Sequence, residues 1–226
     1  MLTHALHETL HRLENAAGQA GRPTPRLLAV SKTQPAGAIE PLAALGQRAF
    51  GENYVQEAVA KQRRLEALDL EWHLIGHLQS NKAKDAAERF DWVQTVDRGR
   101  LVTALNRYRP DERPPLNVLI QVNIDDEDSK HGCQPDEVAA LAASIAAQPR
   151  LRLCGLMVIP TPHPDLEARR PAFRHARRLF DALATEHPQV DTLSMGMSDD
   201  LDIAVAEGAT MVRVGTALFG ARPRKD

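Results

Sequence analysis

The chain has 226 residues, a net charge of −2 and only two cysteines. That length can bury a large core as one domain or two small ones; the near-neutral charge argues against bulk nucleic-acid binding, and two cysteines exclude a disulfide framework. No run approaches the roughly 18 apolar residues of a membrane span, and His4, His7 and Glu8 interrupt any apolar signal core, so a soluble protein is expected, and the two cysteines fit a reducing cytoplasm.

Leu2, Leu6, Leu10 and Leu13 recur at helical spacing and predict an amphipathic opening helix ending near Gly18 and Gly21. Between Pro25 and Pro35 the aliphatic run 27–30 predicts a strand buried on both faces. Continued through 32, it puts Lys32 on one face with Leu28 and Val30. Ile39, Leu42 and Leu45 mark a second helix stopped by Gly46. The rhythm then repeats: strand 48–53, helix 54–68, strand 72–76, helix 81–89, strand 92–96, and a helix carrying Leu101, Leu105 and Tyr108 that ends before Pro110. Strand 117–122 follows, then an alanine-rich helix from Pro135 to about Ala147, and strand 153–159 closed by Pro160. A long helix after Pro164 carries Phe173, Leu179, Phe180 and Leu183; strand 192–195, helix 199–207 and strand 211–214 complete the chain. About eight βα units in roughly 200 to 250 residues predict an α/β fold, a single (β/α)8 TIM barrel with an extra N-terminal helix. No break in composition marks a second domain, so one domain over 1–226 is expected. An open doubly wound sheet is the rival, weakened because no Gly-x-Gly-x-x-Gly follows the first strand.

In a barrel, chemistry gathers at the C-terminal ends of the strands. Those ends hold Lys32, Glu52, Asn53, Gly76, His77, Asp97, Asn123, residues 157–160, residues 196–199, Gly215 and Thr216. A partly desolvated Lys32 would have a lowered pKa and could attack a carbonyl to form a Schiff base; the plain alternative is a strand-end lysine reaching to water. Glycine and hydroxyl turns at Ser198 and Thr216 suit an anion, since the loops after strands seven and eight commonly bind phosphate; alternatively Ser198 is a helix N-cap. Alternation in the last strand turns Arg213 inward if Val212 and Val214 face the helices. Its obligatory acceptor is then either a ligand or a carboxylate such as Glu52. A phosphorylated heteroaromatic aldehyde, pyridoxal 5′-phosphate, would satisfy all three features at once.

Several runs together resemble one family. They are LLAVSKT at 27–33, FGENYVQE at 50–57, WHLIG at 72–76, LQSNK at 78–82, GLM at 155–157, LSMGMSDD at 193–200, VRVGT at 212–216 and FG at 219–220. The chain resembles the pyridoxal-phosphate homeostasis proteins over nearly its whole length. That resemblance implies a barrel like the N-terminal domain of alanine racemase, the fold type III pyridoxal-phosphate barrel. It implies pyridoxal 5′-phosphate held by Lys32 as a covalent aldimine, with binding roles for Asn53, Met157, Ser198, Arg213, Gly215 and Thr216. It further implies a carrier or buffer of the cofactor for vitamin B6 and amino-acid homeostasis, not an enzyme, with pyridoxal-phosphate-dependent apoenzymes as recipients. A monomer without nucleic-acid or membrane partners is expected. Gln34 stands where many bacterial members have lysine, and His77 where many have proline.

The rival function is a small amino-acid racemase. It would need a base on each face of the bound amino acid, and Tyr54 and Tyr108 are the only tyrosines. Arg213 at the ring nitrogen would also keep that nitrogen unprotonated and weaken the ring as an electron sink. His73 and His77 do not make a metal pair on this pattern, because no Glu follows His73 and no third ligand is spaced nearby. Cys133 has no neighbouring pattern that marks a nucleophile.

Overall fold

The computed structural model describes residues 2–125 and 131–220. Helix α1 (Leu2–Ala20) leads into β1 (Arg26–Val30), α2 (Glu40–Ala44), β2 (Ala49–Glu52), α3 (Val55–Arg64), β3 (Glu71–Leu74), α4 (Ala83–Arg89), β4 (Trp92–Val96) and α5 (Gly99–Tyr108). The second half continues with β5 (Leu116–Val122), α6 (Val138–Ala146), β6 (Leu151–Val158), α7 (Arg170–Glu186), β7 (Thr192–Met197), α8 (Leu201–Ala206), β8 (Met211–Val214) and α9 (Thr216–Phe219). The strands pair in chain order and β1 closes on β8 in parallel, Leu28 lying opposite Arg213. The eight-stranded barrel expected from the alternation is therefore the observed architecture.

The period of two divides each strand between two environments. Outward residues such as Leu27, Ala29, Phe50, Leu74, Val118, Val212 and Val214 pack with the helices in one continuous core. Inward residues form two small apolar clusters, Leu28 with Ala49 and Met211, and Trp92 with Leu119, Cys154 and Met157. Buried polar side chains, His73, Gln94, Ser194 and Arg213, fill the interior between them. Helix α1 buries Leu6, Leu13 and Ala17 and packs on α8 and α9. Arg12 holds it there through Asp202 and the Ser198 carbonyl, the latter at 2.7 Å.

Several boundaries differ from the sequence expectation. Strand β1 ends at Val30, so Lys32 sits in a turn and not on the strand. Ser31 N–H still donates to the Gly51 carbonyl at 3.0 Å, but Thr33 adopts φ 64° and Gln34 N–H closes back on the Ser31 carbonyl at 3.0 Å. The helix expected over 54–68 stops at Arg64 and is followed by a 3-10 turn, Glu66–Leu68. The helix expected from 199 begins at Leu201, because Asp200 Oδ1 accepts from Met197 N–H at 2.7 Å and holds the preceding residues in a turn.

Candidate functional site

At the C-terminal end of the barrel a cavity of about 350 Å³ is lined by Lys32, Gln34, Asn53, Ile75, Ile159, Ser198, Arg213, Gly215 and Thr216, with Val30, Met197, Asp199, Phe219 and Gly220. Six of the residues singled out from the sequence therefore share one cavity. Met157 does not line it: the side chain is fully buried two residues before Ile159, in the packed layer with Trp92 and Leu119. The sequence reading placed Ile159 only within the strand end 157–160, with no role, and did not single out Ile75. Their strand alternation with His73 and Met157 was the signal that would have placed them on the inner face.

The turn that carries half-buried Lys32 is held from beneath. Lys61 on α3 donates to the Ser31 carbonyl, Glu52 Oε1 and Glu57 Oε1, each at 2.7 Å. Ser31 Oγ donates to Glu52 Oε1 at 2.5 Å, and Thr33 N–H to Glu57 Oε1 at 2.7 Å. Glu52 is fully buried, and desolvation pushes its carboxyl above the usual range despite Lys61. This corrects the carboxylate alternative for Arg213: Glu52 faces α3 and Lys61, while Arg213 points into the barrel. Asn53 owes its position to Gly76, where a Cβ would stand 2.2 Å from the Asn53 carbonyl oxygen.

Arg213 faces the cavity from β8 and is nearly all buried. Its Nη1 donates to Ser194 Oγ at 2.7 Å and its Nη2 to the Val158 carbonyl at 2.9 Å. Desolvation lowers its pKa to about 10, so it remains a cation at neutral pH.

The loop after β7 turns at Gly196, whose φ is 91° and where a Cβ would meet Ala204 Cβ at 2.6 Å, so both conformation and space require glycine. Asp200 braces the loop by pairing with Arg169 at 2.7 Å. Ser198 is not the N-cap of α8; Asp200 occupies that position. The Ser198 and Thr216 hydroxyls both line the cavity, and among the described residues no protein acceptor faces the backbone N–H groups of Ser198, Asp199 or Thr216. Donors of this kind suit a phosphate dianion. Together with a lysine amine, an arginine and the apolar walls of Ile75 and Ile159, they fit a phosphorylated aromatic aldehyde.

The histidines separate. His73 is fully buried in the barrel, whereas His77 lies exposed at the rim, stacked on His131 with ring centroids 3.8 Å apart. Burial pushes the Cys133 thiol up to about 12, which suits an inert side chain.

The alanine racemase N-terminal domain model matches residues 5–223. The pyridoxal phosphate homeostasis protein of Escherichia coli K12 is 52% identical over 226 residues, covering 98% of this chain and 97% of that one. The chain belongs to this family. Its counterpart in Pseudomonas aeruginosa is 52% identical over 213 residues, covering 93% and 91%. Among solved structures, PipY of Synechococcus elongatus with pyridoxal phosphate bound matches with a TM-score of 0.81 at 40% identity, covering 93% of this chain and 99% of that one. Alanine racemase of Corynebacterium glutamicum shares the fold, with a TM-score of 0.66 at 20% identity over 95% of this chain and 61% of its own.

Proposed function

We propose that this chain binds pyridoxal 5′-phosphate in the cavity at the barrel mouth and carries or buffers it, without substantial turnover of amino acids. The observation that carries the reading is the convergence of Lys32, Arg213, Ser198 and Thr216 on one cavity with two apolar walls. The bound cofactor supplies an electrophilic aldehyde carbon and a ring able to take up electrons. Lys32 would hold that carbon through its amine nitrogen, the aldehyde oxygen leaving as water, and the strapping of its turn by Lys61 keeps the amine at the mouth. Ser198 and Thr216 hold the phosphate through hydroxyls and neighbouring N–H groups. Arg213 donates to the ring nitrogen, which stays unprotonated because a guanidinium offers donors only. Asn53 adds an amide beside Lys32 and Gly215 leaves room between the loops, while Met157, away from the cavity, supports Ile159 from the packed layer with Trp92 and Leu119.

The relatives' names and the pyridoxal phosphate bound by PipY support the same reading. Within it, a single barrel domain over 1–226 acts as a monomer in the cytoplasm and yields the cofactor to pyridoxal-phosphate-dependent apoenzymes, with neither nucleic acid nor membrane as partner. No helix among the described residues is long and apolar enough to cross a membrane.

The test is borohydride reduction of the loaded protein followed by peptide mapping. A pyridoxyl group on Lys32, lost in a folded Lys32→Ala variant, is the expected result. A label carried instead by Lys82, or by Lys130, which lies outside the described residues, would reject the assignment.

A further inference from the structure

Beneath Arg213 the barrel interior holds a continuous file of polar side chains. Arg213 Nη1 donates to Ser194 Oγ at 2.7 Å; Ser194 Oγ meets Gln94 Oε1 at 2.7 Å; Gln94 Nε2 meets His73 Nδ1 at 2.9 Å; and His73 Nε2 reaches Glu71 Oε1. Arg26 Nη2 closes the far end on Glu71 Oε1 at 2.9 Å. His73, Gln94 and Ser194 are fully buried, while Arg26 and Glu71 open to solvent at the N-terminal ends of β1 and β3.

The direction of every bond follows from the first donor. Arg213 can only donate, so the hydroxyl proton of Ser194 is left to point at Gln94. Gln94 must then present its carbonyl to Ser194 and its amide N–H to His73. The second N–H of that amide is taken by Met211 Sδ at 3.2 Å, so a flipped amide would lose both of its donor contacts. His73 Nδ1 is therefore an acceptor and its proton sits on Nε2, donated to the Glu71 carboxylate. Stacking on Trp92, with centroids 5.1 Å apart and planes within 8°, fixes the imidazole in that plane.

We infer that Ser194, Gln94 and His73 are positioning residues, a one-way hydrogen-bond relay that orients the Arg213 guanidinium at the ring nitrogen from an anchor at Glu71 and Arg26. This rests on the reading of Arg213 given above. Apolar neighbours such as Leu28, Met211 and Trp92 surround the file. An all-apolar interior would pack there without the desolvation that four buried polar side chains incur, and what the polar file adds is a single orientation.

The ring nitrogen is the atom to probe. Equilibrium binding of pyridoxal 5′-phosphate is compared with that of its carbocyclic analogue, in which the ring nitrogen is replaced by C–H, for the full chain and for Ser194→Ala, Gln94→Leu and Arg213→Leu. Ser194→Ala and Gln94→Leu are expected to weaken the natural ligand by about three- to tenfold more than the analogue, since a charge-assisted bond loses its alignment but not its donor. Ser194→Ala is the smaller change and carries the test if Gln94→Leu fails to fold. Equal losses for both ligands, or none, in folded variants would overturn the relay. Should Arg213→Leu itself fail to discriminate between the two ligands, the placement of Arg213 at the ring nitrogen falls with it; if Arg213→Leu discriminates and Ser194→Ala does not, only the relay is lost.

Discussion

Lys61 is the residue from which the Lys32 turn hangs. Both partners of its pair with Glu52 are buried, at 6% and 0% exposure, so removing one leaves a buried charge without compensation. Lys61→Met should cost about 3–5 kcal/mol in urea unfolding, and the double variant Glu52→Gln with Lys61→Met should recover part of that loss. An exposed pair would cost under about 1 kcal/mol, and that result would contradict the arrangement. A second residue-scale prediction concerns His73. Its burial depresses the imidazole pKa, with Glu71 and Asp91 opposing and Arg26 reinforcing, so the folded chain takes up this proton at lower pH than the unfolded chain. Stability from this group is whole above about pH 6.5 and declines as pH falls, by up to about 1.4 kcal/mol per unit. Desolvation also depresses His77 and adds the same sign, so the comparison is between wild type and His73→Asn at about pH 7.5 and about pH 5.5. An unchanged slope in the variant would contradict a neutral His73. Neither role was legible beforehand: Lys61 sits in the helix expected over 54–68 beside Arg63 and Arg64, with nothing in its spacing to single it out, and a lone strand histidine names no partner. Arg213 was legible, because alternation between Val212 and Val214 left it one direction to point.

At the scale of elements, the turns after β7 and β8 carry the proposed phosphate contacts. Each of Ser198→Ala and Thr216→Ala removes one hydrogen bond to a charged acceptor, worth about 1.5–3 kcal/mol, or about ten- to a hundredfold in affinity for pyridoxal 5′-phosphate. Pyridoxal without phosphate should lose little, as measured by fluorescence titration of both ligands; equal losses would remove the phosphate from these loops. The glycines announced the turns, since Gly196 and Gly215 fall where apolar runs end. The detail did not show, because α8 starts late through a side-chain bond from Asp200 to its own loop, and Lys32 leaves its strand because Thr33 enters the left-handed region. Both are local competitions between side chain and backbone that periodicity does not register.

At the scale of the whole molecule, closure of β1 on β8 is what brings Lys32 to Arg213 and Gly215. Eight alternations predicted that closure, but not which inward polar residues meet across it; Gln94 and Ser194, hydrogen-bonded in the interior, lie 100 residues apart in the chain. Closure also bears on catalysis. Moving the α-proton of an amino acid from one face to the other requires a base on each side and a ring that accepts electrons. Lys32 can serve one side. Neither tyrosine lines the cavity: Tyr54 is 61% exposed beside it and Tyr108 lies at the end of α5. Among the described residues the cavity presents no second amine, imidazole or phenol, and Asp199 stands in the loop proposed for phosphate. On the proposed placement of the cofactor, an unpositioned second base would forfeit about a hundred- to ten-thousandfold in rate, and a ring nitrogen held unprotonated by Arg213 would lower the gain from the ring as well. The loaded protein, incubated in deuterium oxide with single enantiomers of alanine, serine, glutamate and lysine, should therefore exchange the α-proton far more slowly than about once per second. Exchange or racemisation at several turnovers per second would make the chain an enzyme and overturn the carrier reading.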